Sequence, residues 1–191
     1  MRIGIDFDNT IVSYGASFVR AASELGFLDA GAAAGKTAVR DAVRALPEGE
    51  EKWRRLQRVV YGPAIDRAPP FAGARAFVAR ARAAGAELYL VSHKSSDLRA
   101  AAARWLRAND FIGASGFDAE NVFFETTRAQ KIARLGALDC THAIDDLGEV
   151  FAEPAFPAIE RLLFAPAGAP PGPWRAFASW GELQRALFPD G

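Results

Sequence analysis

From residue 73 to the C-terminus the chain alternates short apolar runs with longer amphipathic stretches. The runs are "AELYLV" (86–91), "NVFFE" (121–125), "THAID" (141–145) and "ERLLFA" (160–165). Between and around them lie "GARAFVARARAA" (73–84), residues 97–108, "RAQKIARLGA" (128–137) and "SWGELQRALF" (179–188), all with helical spacing. Short strands that are apolar on both faces and separated by helices pair in parallel, because each crossover lays a helix over the sheet. The predicted class is therefore α/β, a parallel sheet covered on both sides. "RIGID" (2–6) supplies one more strand at the start.

Residues 16–70 break the alternation. Phe18, Ala21, Ala22 and Leu25 share one helical face, and "DAGAAAG" (29–35) reads as a loop. "KTAVRDAVRAL" (36–46) and "EEKWRRLQRVVY" (50–61) read as two further helices, parted by Pro47 and Gly49. "GPAIDRAPPFAG" (62–73) is a proline-rich return. The predicted organisation is a core of residues 1–15 and 71–191 with a helical insert over 16–70.

Composition sets the partner classes. The chain has 191 residues, half of them hydrophobic, and a formal net charge of zero. That balance gives no electrostatic footprint for nucleic acid or an anionic membrane. No stretch approaches the roughly 20 apolar residues of a membrane span. One cysteine, Cys140, excludes an intrachain disulfide and suits a reducing compartment. Asp6 and Asp8 stand where a signal peptide needs its apolar centre, so a cytoplasmic location is expected.

In an open α/β sheet the ligand sits outside the carboxyl ends of the strands. The first strand ends in Asp6-Phe7-Asp8, and the strand at 86–91 is followed by Ser92-His93-Lys94. The strand at 121–125 ends in Glu125, with Lys131 on the following helix, and that at 141–145 ends in Asp145-Asp146, with Glu149 beyond. Carboxylates from separate strand tips, converging on one rim, make a hard oxygen-rich site that suits Mg²⁺.

These residues resemble a family. "DFDNT" (6–10), "YLVS" (89–92), Lys131 and "AIDDLGEV" (143–150) are similar, in this order, to the four motifs of the haloacid dehalogenase-like (HAD) superfamily. The resemblance implies a Rossmann-like HAD-type sheet of strand order 5-4-1-2-3 with "RIGID" at its centre, and a cap over 16–70 between the first two motifs. It further implies a phosphohydrolase of small phosphorylated metabolites. Asp6 would be the nucleophile that forms an aspartyl-phosphate. Asp8 would be the acid and then the base. Ser92 and Lys131 would hold the phosphoryl oxygens, with Lys94 a competitor for the lysine's role. Mg²⁺ would be held by Asp6, the Asp8 carbonyl and Asp145. Asp146 or Glu149 would brace Lys131 or a metal-bound water.

Asp8 favours phosphate esters over haloalkanoates, because an alkoxide leaving group needs a proton and a halide does not. The alternatives are a phosphotransferase or mutase with the same intermediate, or a phospho-ligand-binding protein without turnover.

For substrate contacts, Asn9, Thr10, His93 and Lys94 adjoin the strand ends, and Arg54, Arg55 and Arg58 share a face of the insert opposite Trp53, Leu56 and Val60. The same arginines can pair with Glu50 and Glu51 at helical spacing. "GAAAGKT" (31–37) has three residues between its glycines where a P-loop needs four, and no strand precedes it. Cys140 and His142 lack further ligands for a zinc site and are assigned to packing.

Overall fold

The computed structural model describes residues 1–189. Its elements run β1 (Arg2–Ile5), α1 (Gly15–Glu24), α2 (Gly35–Arg44), α3 (Gly49–Tyr61), α4 (Ala74–Ala83), β2 (Glu87–His93), α5 (Ser96–Ala108), β3 (Val122–Glu125), α6 (Arg128–Ala137), β4 (His142–Asp145), α7 (Gly148–Phe151), β5 (Glu160–Phe164), β6 (Arg175–Phe177) and α8 (Trp180–Leu187). All strand pairs are parallel, in the order β3-β2-β1-β4-β5-β6. This is the expected 5-4-1-2-3 sheet with one strand added beyond β5. The added strand, "RAF", is too short to carry a period of two, so nothing local in the sequence marks it.

β1 lies between β2 and β4 and is buried on both faces, Ile3 and Ile5 on one and Gly4 on the other. Gly4 is the position of this strand where a Cβ would meet a neighbour. A Cβ there would lie 2.2 Å from Leu135 Cδ2 of α6, so the absence of a side chain lets α6 close on the sheet. α6 begins with a reciprocal cap: Thr127 Oγ1 accepts from the Gln130 amide at 3.1 Å, and the Gln130 side chain accepts from the Thr127 amide at 3.1 Å.

The two ends of the helical insert are tied together beside β1. Ser13 N donates to the Pro69 carbonyl at 2.9 Å, and Phe71 N donates to the Ile11 carbonyl at 2.8 Å. Helices α1, α2 and α3 pack on one another, with Phe18 stacked on Trp53 at 5.1 Å. Their buried residues Val39, Val43, Leu56 and Val60 belong to the same apolar cluster as Ile3 and Ile5. The insert thus rests on the core through continuous apolar contact. Among the described residues no helix is long and apolar enough to cross a membrane.

Candidate active site

β1 delivers Asp6. The strand's hydrogen bonding continues one residue past its end, Asp6 N donating to the Ile144 carbonyl at 2.9 Å, so the backbone that carries Asp6 is pinned to β4. The chain then turns sharply. Ile11 N and Val12 N both donate to the Phe7 carbonyl, and Asn9 takes a left-handed φ of 57°. Asparagine tolerates that conformation better than most residues. Trp180 of α8 braces the turn from below, its Nε1 donating to the Thr10 carbonyl at 3.1 Å.

Two lysines from different elements meet two aspartates of the first motif. Lys131 Nζ lies 2.6 Å from Asp6 Oδ1 and 2.6 Å from Asp145 Oδ2, all three side chains being at least 94% buried. Lys94 Nζ lies 2.8 and 3.0 Å from the two oxygens of Asp8, whose Oδ1 also accepts from the Tyr14 hydroxyl at 2.8 Å. Each lysine thus has its own aspartate: Lys131 pairs with Asp6, and Lys94 pairs with Asp8. Ser92 is the sixth residue of β2, not a loop residue, and is almost wholly buried. With Asp6, Asp8, Lys94 and Lys131 it lines a cavity of about 390 Å³.

The carboxylates of Asp6, Asp145 and Asp146 offer oxygens that all lie within 4.8 Å of one another. Burial pushes the Asp145 carboxyl up to about 6, Lys131 pulling it down and Asp6 pushing it further up. Burial, together with Asp145 and Asp6, raises Asp146 well above the ordinary carboxylate range. Burial works against the Lys131 ammonium, but Asp145 and Asp6 outweigh it and hold its pKa above the usual lysine value. Three clustered carboxylates share one ammonium, which gathers hard oxygen donors in one place. That donor set fits a divalent cation such as Mg²⁺.

Several expected contacts are placed differently. The Asp8 carboxylate, paired with Lys94, is not among the clustered carboxylates. Asp146 takes a place in the cluster itself, not behind it. Glu149 points to Arg128 at 3.3 Å and is exposed, so it does not brace Lys131. Thr10 is fully buried, and its hydroxyl lies 3.5 Å from Asp6 Oδ2, turned to Asp6 where a substrate contact is expected from the sequence. Asn9 and His93 do line the cavity.

Arg54, Arg55 and Arg58 do not line it. Arg54 pairs with Glu50 at 3.6 Å, Arg55 lies over the Phe27 ring, and Arg58 borders a separate surface depression with Leu98 and Arg104. The reason is the helix's rotation. Trp53, Leu56 and Val60 are buried, and the neighbouring positions Gln57 and Tyr61 are the ones turned to the cavity. Cys140 and His142 are packing residues as expected, Cys140 in a buried apolar cluster and His142 beside Glu160 at 3.1 Å.

The sequence reading missed Lys36, Gln57, Tyr61 and Tyr14. Gln57 and Tyr61 are one helical turn apart, a signal that was present at the edge of the apolar stripe. Lys36 is the lysine of "GAAAGKT", whose glycine spacing does not make a P-loop. It stands in the first turn of α2, 5.8 Å from the centres of both the Phe18 and Tyr61 rings. Burial lowers its pKa, against the pull of Asp146, Asp8 and Asp6.

No protein-family model and no curated protein sequence matches the chain. Solved structures do. Protein Tyrosine Kinase A of Mycobacterium tuberculosis superposes with a TM-score of 0.69 at 19% identity, over 98% of this chain and 97% of that one. A haloacid dehalogenase-like hydrolase of Streptococcus pneumoniae gives 0.63 at 14%, over 97% of each. A HAD family hydrolase of Deinococcus radiodurans R1, with bound phosphate and sodium, gives 0.61 at 16%, over 97% of this chain and 94% of that one. Dehalogenases are among the others. The chain has the fold of the HAD-superfamily hydrolases.

Proposed function

We propose that the protein is a Mg²⁺-dependent phosphohydrolase of small phosphorylated metabolites, acting through an aspartyl-phosphate on Asp6. The observation that carries this reading is the pairing of two buried ammonium groups with two aspartates on one turn: Lys131 on Asp6 and Lys94 on Asp8, both facing one cavity. Asp6 attacks phosphorus as the bond to the leaving oxygen breaks, and Asp8 gives that oxygen its proton. Asp8 then takes a proton from the water that attacks the phosphorus. Asp6 is freed, and the products are the alcohol and orthophosphate. Lys131 offsets the charge of Asp6 and, with Ser92, holds phosphoryl oxygens where negative charge develops. Asp6, Asp145 and Asp146 would hold the Mg²⁺, which when bound screens the phosphoryl charge from the attacking carboxylate. Helices α1–α3, inserted at residues 16–70, act as the cap that selects the substrate. A cytoplasmic location suits the single buried cysteine, and the partner is a small phosphate ester, with no nucleic acid or membrane.

Phosphate release from phenyl phosphate, with and without Mg²⁺, tests this reading. Turnover lost on chelation, regained with Mg²⁺ and absent in Asp6→Asn is the expected result. Halide release from 2-chloropropionate with no phosphate release would instead favour the dehalogenase chemistry named for some structural neighbours. A second reading, transfer to an alcohol acceptor, is favoured by the likeness to a protein named as a tyrosine kinase. Phosphorylated glycerol formed at the expense of orthophosphate when glycerol is added would support it.

A further inference from the structure

A second cavity, of about 800 Å³, opens beside the 390 Å³ cavity that holds Asp6. Asn9, Lys36, Asp146 and Leu147 line both, so the two are joined at the acidic cluster. One wall of the second cavity is apolar: Phe71, Leu163, Phe164 and Trp174. Trp174 is held rigidly. Its Nε1 donates to the Pro170 carbonyl at 3.2 Å. A Cβ at Gly148 would come within 2.8 Å of its ring, and one at Gly172 within 2.0 Å, so the indole is clamped between two bare backbones.

The first turns of α2 add Lys36, Thr37 and Arg40 to the lining. The charges around the cavity are unevenly satisfied. Glu149 is paired with Arg128, and Arg40 uses its Nε on Asp41 at 2.8 Å, leaving its remaining N–H groups. Asp146 belongs to the acidic cluster. Lys36 has no salt bridge among the described residues; its ammonium lies over the Phe18 and Tyr61 rings, and Asp146, Asp8 and Asp6 act on it from a distance. An ammonium placed over aromatic rings with no hydrogen-bonded carboxylate keeps N–H groups free for an acceptor that a ligand can bring.

We propose that this second cavity receives the leaving group of the substrate, and that Lys36, assisted by Arg40, binds an oxyanion substituent on it while Trp174 and Phe71 pack its apolar part. The proposal rests on the phosphohydrolase reading and deepens it. The substrate class is a phosphate ester whose alcohol portion is partly apolar and carries an acidic group. Phosphoryl transfer and substrate choice are then handled by different lysines: Lys131 from the core, Lys36 from the insert.

The test compares 3-(4-phosphonooxyphenyl)propanoate with its carboxamide. The two differ in charge at a point insulated from the reacting oxygen. The wild-type enzyme should favour the acid in kcat/KM by about tenfold or more, the range of a charge-assisted contact. Lys36→Met should bring the ratio close to one, and Arg40→Gln, a change at a half-buried surface position, should reduce it in part. Equal turnover of acid and carboxamide by the wild type would overturn the proposal. So would a Lys36→Met variant that loses activity on both equally, since Lys36 would then serve the phosphoryl group. Calorimetric binding of the matching non-hydrolysable phosphonates is read in parallel. A preference for the acid that vanishes in Lys36→Met upholds the cavity's role even if no ester is turned over, in which case the phosphohydrolase reading alone fails. No preference in binding overturns the inference.

Discussion

The ammonium of Lys94 spans both carboxylate oxygens of Asp8, at 2.8 and 3.0 Å, from a position where its side chain is 99% buried. It lies 5.1 Å from the Phe7 ring centre and 5.4 Å from that of Tyr61, so apolar rings fix the direction of its approach. Lys94 and Asp8 are 86 residues apart in sequence, and the pairing of β1 with β2 makes them neighbours. The geometry makes Lys94 the group that orients the Asp8 carboxylate.

The first prediction concerns that coupling. Lys94→Met and Asp8→Asn should each lower kcat for phenyl phosphate, Asp8→Asn by about 10²-fold or more, with smaller changes in KM. If Lys94 acts through Asp8, the double variant should be no slower than Asp8→Asn alone. Losses that multiply would show that the two residues act separately.

Lys131 sets the second. Replacing it by Met leaves Asp6 and Asp145 buried side by side without their shared cation. Breaking a buried pair of this kind costs about 3–5 kcal/mol. Urea unfolding of metal-free Lys131→Met should show a loss of that order, and phosphatase activity should vanish. A stability within about 1 kcal/mol of wild type would contradict the paired geometry.

Gly4→Ala is the third. The added methyl group would meet Leu135 Cδ2, the far end of a buried side chain, and Cys140 Sγ at 3.4 Å. Overpacking of this sort costs about 1–3 kcal/mol. Thermal unfolding should show a loss toward the lower end, because a leucine tip can shift, and Leu135→Ala in the same chain should remove the clash. Equal destabilisation of Gly4→Ala with and without Leu135→Ala would place the strain elsewhere.

Cys140 carries the fourth. Burial pushes its thiol up to about 11, from an ordinary value of 9.0, with Arg2 pulling slightly the other way. Because the folded-state pKa is the higher one, the stability linked to this group is present below about pH 9 and declines as the pH rises toward 11. Wild type should therefore lose more stability over that window than Cys140→Ala. Iodoacetamide should leave the native thiol unmodified at pH 8 and label it in urea. Rapid labelling of the native protein would refute the burial of Sγ.

Much of the site could be read before the fold was known, and the reason is local. Asp6, Ser92 and Asp145 each stand at or near the end of an apolar run, and a parallel sheet brings the carboxyl ends of its strands to one edge. Alternation of runs and helices is enough to say so. β6 and α7 escaped the reading because a single alternation and a single helical turn repeat nothing, and they are held by β5 and the Asp145 loop.

Tertiary structure decided the partnerships. The sequence determined that two lysines would stand near the strand ends, but not that Lys131 would take Asp6 and Lys94 would take Asp8, since that depends on which element packs beside which. It determined that α3 has one apolar stripe, but the stacking of Trp53 on Phe18 set the helix's rotation. That rotation turned Gln57 and Tyr61 to the cavity and Arg54, Arg55 and Arg58 away. Lys36 shows the limit most plainly. Periodicity states which residues share a face, whereas the object that face meets is chosen by packing between segments distant in sequence, and only there does a loop-end lysine become part of the site.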